Sequence, residues 1–156
     1  MARRGKKQHP SPTNARRWYY DACALKKDPK IHAQIINDNP KQNIMSVTSH
    51  LALGEALGNV LFKKKEQVDA FTGLIQSYCE AGLLVVKDND SIEEHLLKIK
   101  EHRFEMNFSD SVHLATALKN GCEQLHTSDG DFDYEPAKYR ALGAEFGLSN
   151  FCIKKV

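Results

Sequence analysis

The sequence of 156 residues lacks the long apolar runs and paired cysteines that mark several large classes of protein. No apolar stretch approaches the roughly 20 residues that a membrane-spanning helix needs, so we expect no membrane association. The four cysteines form no Cys-x-x-Cys pair, which argues against a zinc site and favours free thiols in a reducing compartment. The basic start is followed by Gln-His-Pro-Ser-Pro rather than by an apolar segment, so we expect no secretory signal and a cytoplasmic location.

Motifs for nucleotide binding and for nucleophilic catalysis are also missing. The sequence contains no glycine-rich loop of the P-loop or Rossmann type, and no Ser/His/Asp or Cys/His arrangement stands out. A metal-dependent phosphatase with an Asp-x-Asp motif after its first strand is disfavoured, because Asp21 is followed by Ala22 and Cys23. These absences leave the acidic residues as the main candidates for chemistry.

Positive charge is concentrated at the N-terminus of the chain. The net charge is only +2, but residues 1–17 contain six Lys or Arg and no acid, while the remainder has 16 basic and 20 acidic residues. We predict that residues 1–17, which are polar and interrupted by proline, form a disordered basic tail, and that residues 18–156 form one domain. A basic arm on an acidic body is typical of proteins that bind a polyanion; a solubilising or vector-derived tail is the alternative.

The pattern of apolar residues predicts strands that alternate with helices. Short apolar runs predict strands near residues 19–20, 44–47, 83–86 and 124–126, with an edge strand near 151–153. Helical periodicity lies between these runs. Such alternation predicts an α/β fold, a three-layer α/β/α sandwich with a central, mostly parallel sheet.

Individual residues predict where the helices begin and end. Side chains that can accept a backbone N–H bond are the predicted N-caps, namely Thr48 or Ser49, Ser91 with Glu94 as its capping-box partner, and Ser109. Gly82 is the predicted C′ residue of the helix before it. The Asn39-Pro40 pair is expected to end the helix that begins near Pro29.

Four acidic residues occupy positions from which an α/β fold can bring carboxylates together. Asp21 follows the first predicted strand, Glu55 lies within a helix, Asp110 begins a helix, and Asp129 follows a strand, with Asp131 two residues later. Open α/β sheets place their ligand sites at the carboxyl ends of the strands. Crowded carboxylates repel one another unless a cation neutralises them, so the arrangement predicts a metal site.

Each acid also has an ordinary structural interpretation. The helix dipole stabilises an aspartate in a first turn, but Asp110 shares a helix face with Leu114 and Ala117, which are predicted core positions. Because burying an unpaired charge is costly, we prefer a functional role for Asp110. Asp129-Gly130-Asp131 can be a simple turn, and Glu55 can face solvent. His113 is interpreted as a packed histidine, with contact to the site carboxylates as the alternative.

In its acidic motifs the chain resembles the PIN domain, the nuclease fold of VapC-type toxins, from about residue 18 to about residue 135. That family opens with a strand, an Asp and a small-residue helix, as in Tyr-Tyr-Asp21-Ala-Cys. Its second acid follows a short strand and a Ser or Thr, as Glu55 does, and its third opens a helix with closely spaced alanines, as Asp110 does. Its fourth lies in Thr-x-Asp-x-Asp-Phe, matched by residues 127–132. Two departures are Cys23, where the family usually has Ser or Thr, and the basic extension.

The resemblance implies a metal-dependent endoribonuclease that hydrolyses RNA phosphodiester bonds with Mg²⁺ or Mn²⁺. It implies that Asp21, Glu55, Asp110 and Asp129 are catalytic, that these four with Asp131 bind the metal, and that Thr127 hydrogen-bonds a carboxylate or the phosphate. It further implies the toxin of a type II toxin–antitoxin pair, with RNA and an antitoxin protein as partners; a homodimer is a further expectation. The alternative is a non-catalytic PIN-like subunit that binds RNA or protein.

Overall fold

The computed structural model describes residues 15–27, 29–61 and 64–156. Within these ranges the chain forms five strands: β1 Arg16–Tyr20, β2 Ile44–Ser49, β3 Leu84–Lys87, β4 Gln124–Thr127 and β5 Cys152–Lys155. The same ranges contain eight α-helices: α1 Ala22–Lys27, α2 Pro29–Ala33, α3 Asn39–Lys41, α4 His50–Leu61, α5 Lys65–Glu80, α6 Glu93–Glu101, α7 Phe108–Lys119 and α8 Pro136–Ala144. None of the described helices is long and apolar enough to cross a membrane.

The strands form one sheet in the order β3-β2-β1-β4-β5, and every neighbouring pair is parallel. Parallel strands need crossover connections, which the helices supply, and helices therefore cover both faces of the sheet. The predicted α/β/α sandwich is confirmed, and the sheet is wholly parallel rather than mostly so. The predicted edge strand is also confirmed as β5.

Two adjacent tyrosines show how the core is divided between the faces of the sheet. Successive residues of a strand point to opposite faces. Tyr19 packs with apolar side chains of α6, α7 and α8, whereas Tyr20 packs with those of α1, α2 and α5. Both tyrosines are fully buried, so β1 lies at the centre of the molecule and the residue that follows it, Asp21, begins in the interior.

The boundary predicted for the basic tail is wrong by two residues. Arg16 and Arg17 belong to β1, where they pair in register with Ile44 and Met45 of β2. Arg16 also bonds Glu123, with 2.6 Å between its Nε and the carboxylate. Backbone pairing with β2 therefore continues beyond the apolar residues on which the prediction relied. Residues 1–14, for which disorder is predicted, lie outside the described residues.

Two of the predicted helix caps are wrong, whereas Ser49 is confirmed because its Oγ accepts from the N–H of Ala52 at 3.2 Å. Helix α7 begins at Phe108, and its cap is Asn107, whose Oδ1 accepts from the N–H of Asp110 at 2.8 Å. Ser109 lies inside the first turn. Ser91 has a left-handed backbone conformation with φ of 51°, and α6 begins at Glu93 without a side-chain cap.

The predicted break at Asn39-Pro40 is also wrong, because helical structure continues through it. After α2 a π-helical turn, Gln34–Asp38, leads directly into α3, with Pro40 in its first turn. The wider turn changes the hydrogen-bond pattern, so Pro40 occupies a position where a helix needs no N–H. Gly82 is confirmed as a left-handed residue after α5, with φ of 70°.

Candidate metal centre

Sheet topology brings the ends of β1 and β4 together at one edge. Strands β2 and β3 extend the sheet on one side of β1, and β4 and β5 extend it on the other. A crevice forms outside the carboxyl ends of the strands where the strand order reverses in this way. Asp21 follows β1, and its N–H donates to the carbonyl of His126 in β4 at 3.2 Å. The loop that follows β4 carries Asp129 and Asp131, so the predicted strand-end acids meet at this point.

Three of the five predicted acids form a compact group. One carboxylate oxygen each from Asp110, Asp129 and Asp131 lies within 4.8 Å of the other two. We call these three residues the acidic trio. Asp110 is buried, Asp129 is half-buried and Asp131 is exposed, so the trio runs from the protein interior to solvent.

A continuous set of hydrogen bonds fixes the backbone that carries the trio. Thr127 Oγ1 accepts from the N–H of Asp129 at 3.0 Å, and Asp129 Oδ1 accepts from the N–H of Asp131 at 2.9 Å. Asn107 joins this loop to α7, because its Nδ2 donates to Asp131 at 3.0 Å while its Oδ1 caps Asp110. The sheet and α7 thus set the spacing of the three carboxylates together.

Asp110 is the member of the trio whose surroundings most disfavour the ionised carboxylate. Burial raises the pKa of its carboxyl group to about 7, and the negative charges of Asp129 and Asp131 contribute to the rise. Its Oδ2 is buried and has no hydrogen-bond partner among the residues that the structure describes. An ionised carboxylate can only accept, so this oxygen needs either a proton or a cation. Carboxylate oxygens are the ligands that Mg²⁺ and Mn²⁺ prefer, and the trio therefore fits a hard divalent cation.

Asp21 lies outside the trio and is held by donors from the protein. The residue is only 3% exposed, and its Oδ1 accepts from the N–H of Ala24 at 2.9 Å, which caps α1. Burial raises the pKa of Asp21, while a hydrogen bond from Thr127 and the one from Ala24 act against the rise. The charge of Asp129 pushes the pKa upward again, so Asp21 interacts electrostatically with the trio.

Glu55 also lies outside the trio, on α4. Its Oε1 accepts from the hydroxyl of Ser109, and its Oε2 lies 2.8 Å from Nε2 of His113. Both partners belong to α7, so the side chain of Glu55 ties α4 to the helix that carries Asp110. His113 is only 1% exposed, which fits the packed histidine of the sequence analysis, and it also contacts a site carboxylate.

Two residues beside the trio were missed by the sequence analysis. Asn107 is of a type that commonly caps helices, and its position before the helix of Asp110 was the available signal. Lys155, near the end of β5, donates from its Nζ to the carbonyl of Asp129. No local pattern could have found Lys155, because its position depends on β5 pairing with β4.

Comparison with known proteins identifies the family. A family model of the PIN domain matches residues 18–135, and the chain therefore belongs to the PIN domain family, as the four acidic motifs predicted. A search of curated proteins found no match. Because the family match ends at residue 135, α8 and β5 lie beyond it.

Two solved structures have a similar fold. One is VapBC2 from Rickettsia felis bound to a DNA fragment from their promoter; a chain in it is 14% identical, the match covers 90% of this chain and 98% of that one, and the TM-score is 0.59. The other is VapC20 from Mycobacterium tuberculosis, described as a toxin that cleaves the sarcin–ricin loop; it is 20% identical, with coverage of 74% and 92% and a TM-score of 0.54. At these identities the likeness concerns the fold.

Proposed function

We propose that the protein is a metal-dependent endoribonuclease that hydrolyses RNA phosphodiester bonds. The observation that carries the proposal is the buried Oδ2 of Asp110 within the acidic trio, for which the described part of the chain supplies no hydrogen-bond partner. Membership of the PIN domain family supports it, and so does the RNA-cleaving activity for which the similar VapC20 is described. The protein would then act where RNA is found, and we propose the cytoplasm.

We assign Asp110, Asp129 and Asp131 as direct ligands of Mg²⁺ or Mn²⁺, with Asp21 and Glu55 completing the negative site. When bound, such an ion lowers the pKa of a water and stabilises charge that develops on the phosphoryl oxygens. Within the protein, Ser109 and His113 keep the carboxylate of Glu55 in a fixed orientation. Asp21, held by Ala24 and Thr127, places a further carboxyl group beside the trio. The catalytic set is thus Asp21, Glu55, Asp110 and Asp129.

We also propose that the protein is the toxin of a type II toxin–antitoxin pair, with an antitoxin protein as its partner. The similarity to a chain of the VapBC2 complex supports this role. An open apolar groove between α4 and α5, lined by Leu53, Leu57, Phe71 and Ile75, is a surface on which a partner can pack. A homodimer is a second proposal, and light scattering of the purified chain tests it.

Cleavage of a hairpin RNA with a single-stranded loop tests the proposed activity. We expect cleavage with Mg²⁺ or Mn²⁺ and none with EDTA. Asp110→Asn removes charge from the trio with little change of volume, and we expect the rate to fall by more than about 100-fold, because loss of residues that only support a metal site already costs about 10- to 100-fold.

Asp133→Asn is the matched control, since this side chain follows the same loop, is 85% exposed and lies outside the trio. We expect it to cleave like the parent. Equal rates for Asp110→Asn and the parent would remove Asp110 from the site. Binding of RNA without cleavage under any metal condition would favour the non-catalytic subunit instead.

The basic residues before β1 supply a second test, of RNA binding rather than of chemistry. Residues 1–14 contain four Lys or Arg and no acid. Each phosphate contact to single-stranded nucleic acid contributes about 0.7 to the slope of log K against log salt concentration, so deleting these residues should reduce that slope by up to about 3. Single-turnover cleavage at saturating RNA should not change.

Replacing Arg3, Arg4, Lys6 and Lys7 by Gln keeps the length of the segment and should reproduce the effect of the deletion on the slope. An unchanged slope in both variants would make the segment irrelevant to RNA binding. Loss of cleavage at saturation would place part of the active site in these residues.

A further inference from the structure

Behind Glu55 a chain of buried hydrogen bonds runs from α7 to the end of β2. His113 Nδ1 lies 2.7 Å from the hydroxyl of Tyr19, and that hydroxyl lies 2.7 Å from Oγ of Ser49. Ser49 Oγ in turn accepts from the N–H of Ala52 at 3.2 Å. Tyr19 and Ser49 are 0% exposed and His113 is 1% exposed, so no substrate can touch them.

The two ends of this chain have fixed hydrogen-bonding roles. The N–H of Ala52 can only donate, and the ionised carboxylate of Glu55 can only accept. Because Ser49 accepts from Ala52, its own hydrogen is available for Tyr19, and the hydrogen of Tyr19 is then available for Nδ1 of His113. His113 uses its remaining proton, on Nε2, to donate to Glu55 at 2.8 Å. Every hydrogen bond in this neutral arrangement runs in one direction.

We propose that Tyr19 is a positioning residue that fixes His113 in the tautomer protonated on Nε2, so that His113 always presents an N–H donor to Glu55. The buried hydroxyl of Tyr19 has the geometry for this role, since it lies 2.7 Å from Nδ1 of His113 and 2.7 Å from Oγ of Ser49. The importance of Glu55 itself rests on the proposed function, but the tautomer does not.

Glu55 alone cannot guarantee this arrangement. A carboxylate beside a bound cation would be a poorer acceptor, so the hydrogen bond from His113 to Glu55 would weaken when the site is occupied. The hydroxyl of Tyr19 approaches from the opposite side of the imidazole ring and is unaffected by that change. Residues that orient the ligands of a metal affect its affinity although they do not touch it.

Nitrogen-15 NMR of the full-length protein with labelled histidine reads the tautomer directly, because protonated and unprotonated ring nitrogens differ in chemical shift. In the metal-free parent we expect His113 to show a protonated Nε2 and an unprotonated Nδ1. Glu55→Gln should keep this signature, since Tyr19 still donates to Nδ1. Glu55→Gln combined with Tyr19→Phe should give a mixture of the two tautomers.

Tyr20→Phe is the matched control, because Tyr20 is equally buried but its hydroxyl accepts from Asn39 on the other face of the sheet. Glu55→Gln combined with Tyr20→Phe should therefore keep the parent signature. The proposal is overturned if the parent shows protons on both ring nitrogens, since Tyr19 would then accept rather than donate. It is also overturned if the Tyr19→Phe double variant keeps the pure tautomer.

Mn²⁺ affinity gives a second readout, which concerns the consequence for the site. Tyr19→Phe should weaken Mn²⁺ binding by several-fold to about tenfold, at the lower end of the 10- to 100-fold range for residues that support metal ligands. Tyr20→Phe should not change it. If the parent shows the expected tautomers but binds no metal, the proposed function is refuted and the role of Tyr19 in fixing the tautomer stands. If Tyr19→Phe binds Mn²⁺ as tightly as the parent, the tautomer of His113 does not affect the metal site through Glu55.

Discussion

The five acids at the edge of the sheet divide into two groups that the protein treats differently. Asp21 and Glu55 receive hydrogen bonds from Ala24, Thr127, Ser109 and His113. Burial raises the pKa of both Asp21 and Asp110, but Asp110 differs in having a buried Oδ2 with no partner among the described residues and the two other carboxylates of the trio beside it. The first group is stabilised by the fold itself. The second is left with a deficit of positive charge, which is the condition under which a cation binds.

This contrast separates residues that shape the site from residues that bind the ion. If it is correct, removing an acid of the trio removes the response to metal without weakening the fold. Removing Asp21 should weaken the fold whether or not metal is present. The experiments below test these two expectations, beginning with the largest expected effect.

The response of stability to Mn²⁺ should depend on the trio. An ion that binds only the native state at 100 times its dissociation constant stabilises it by about 2.7 kcal/mol. We expect the parent to show such a rise in a thermal melt, and Asp110→Asn and Asp129→Asn to show little or none. Asp133→Asn should respond like the parent, and a flat titration of the parent would argue against a metal site at the trio.

Substitution of Asp21 should lower the free energy of unfolding in the absence of metal. Asp21→Ala deletes the cap of α1, and loss of such a cap costs about 0.5–2 kcal/mol. Asp110→Asn should instead raise the stability of the metal-free protein, because it removes a repelled charge. Urea unfolding with EDTA measures both. The division into two groups fails if the two substitutions change stability in the same direction.

The stability of the metal-free protein should depend on pH, because the carboxylates of the trio repel one another. We expect this effect to be smaller than the two above. The pKa of Asp110 is about 7 in the folded protein, whereas an unfolded Asp titrates near 3.9. Between these values the folded state binds more protons, so its stability should fall as the pH rises from about 4 to about 7. We expect the Tm to drop by a few degrees, since exposed Asp131 can rotate away. Asp110→Asn or saturating Mn²⁺ should reduce the drop.

The sequence predicted the strands well because their apolar runs are short and bounded, and it predicted the helix starts less well. Ser109 has the chemistry of a cap, but its hydroxyl donates to Glu55, 54 residues away in the sequence. Ser91 does not cap α6 because of its backbone, which has a left-handed conformation at the end of the loop after β3. Several neighbouring residues have side chains that can cap a helix N-terminus, and tertiary contacts determine which of them does so.

The same limit applies to the candidate site. Asp21, Asp110 and Asp129 could be predicted because each adjoins the end of a strand or the start of a helix, and those ends converge in a parallel sheet. A hydrogen bond from Thr127 to a carboxylate was expected from the resemblance, and Asp21 receives one. The other donors could not be predicted. They depend on Asn107 and Tyr19, whose contacts with the acids or their neighbours are set by strand order and helix packing.

The last strand also determines how the protein can be handled. The N–H of Val156 donates to the carbonyl of Thr127 at 2.9 Å, so any polypeptide attached after it emerges beside the acidic trio. An affinity tag of histidines placed there would add imidazole ligands next to the site under study, and a metal titration would then report on the tag. The first residue of β1 lies at the opposite edge of the sheet, because all five strands are parallel. A label introduced at that edge leaves the carboxylates undisturbed.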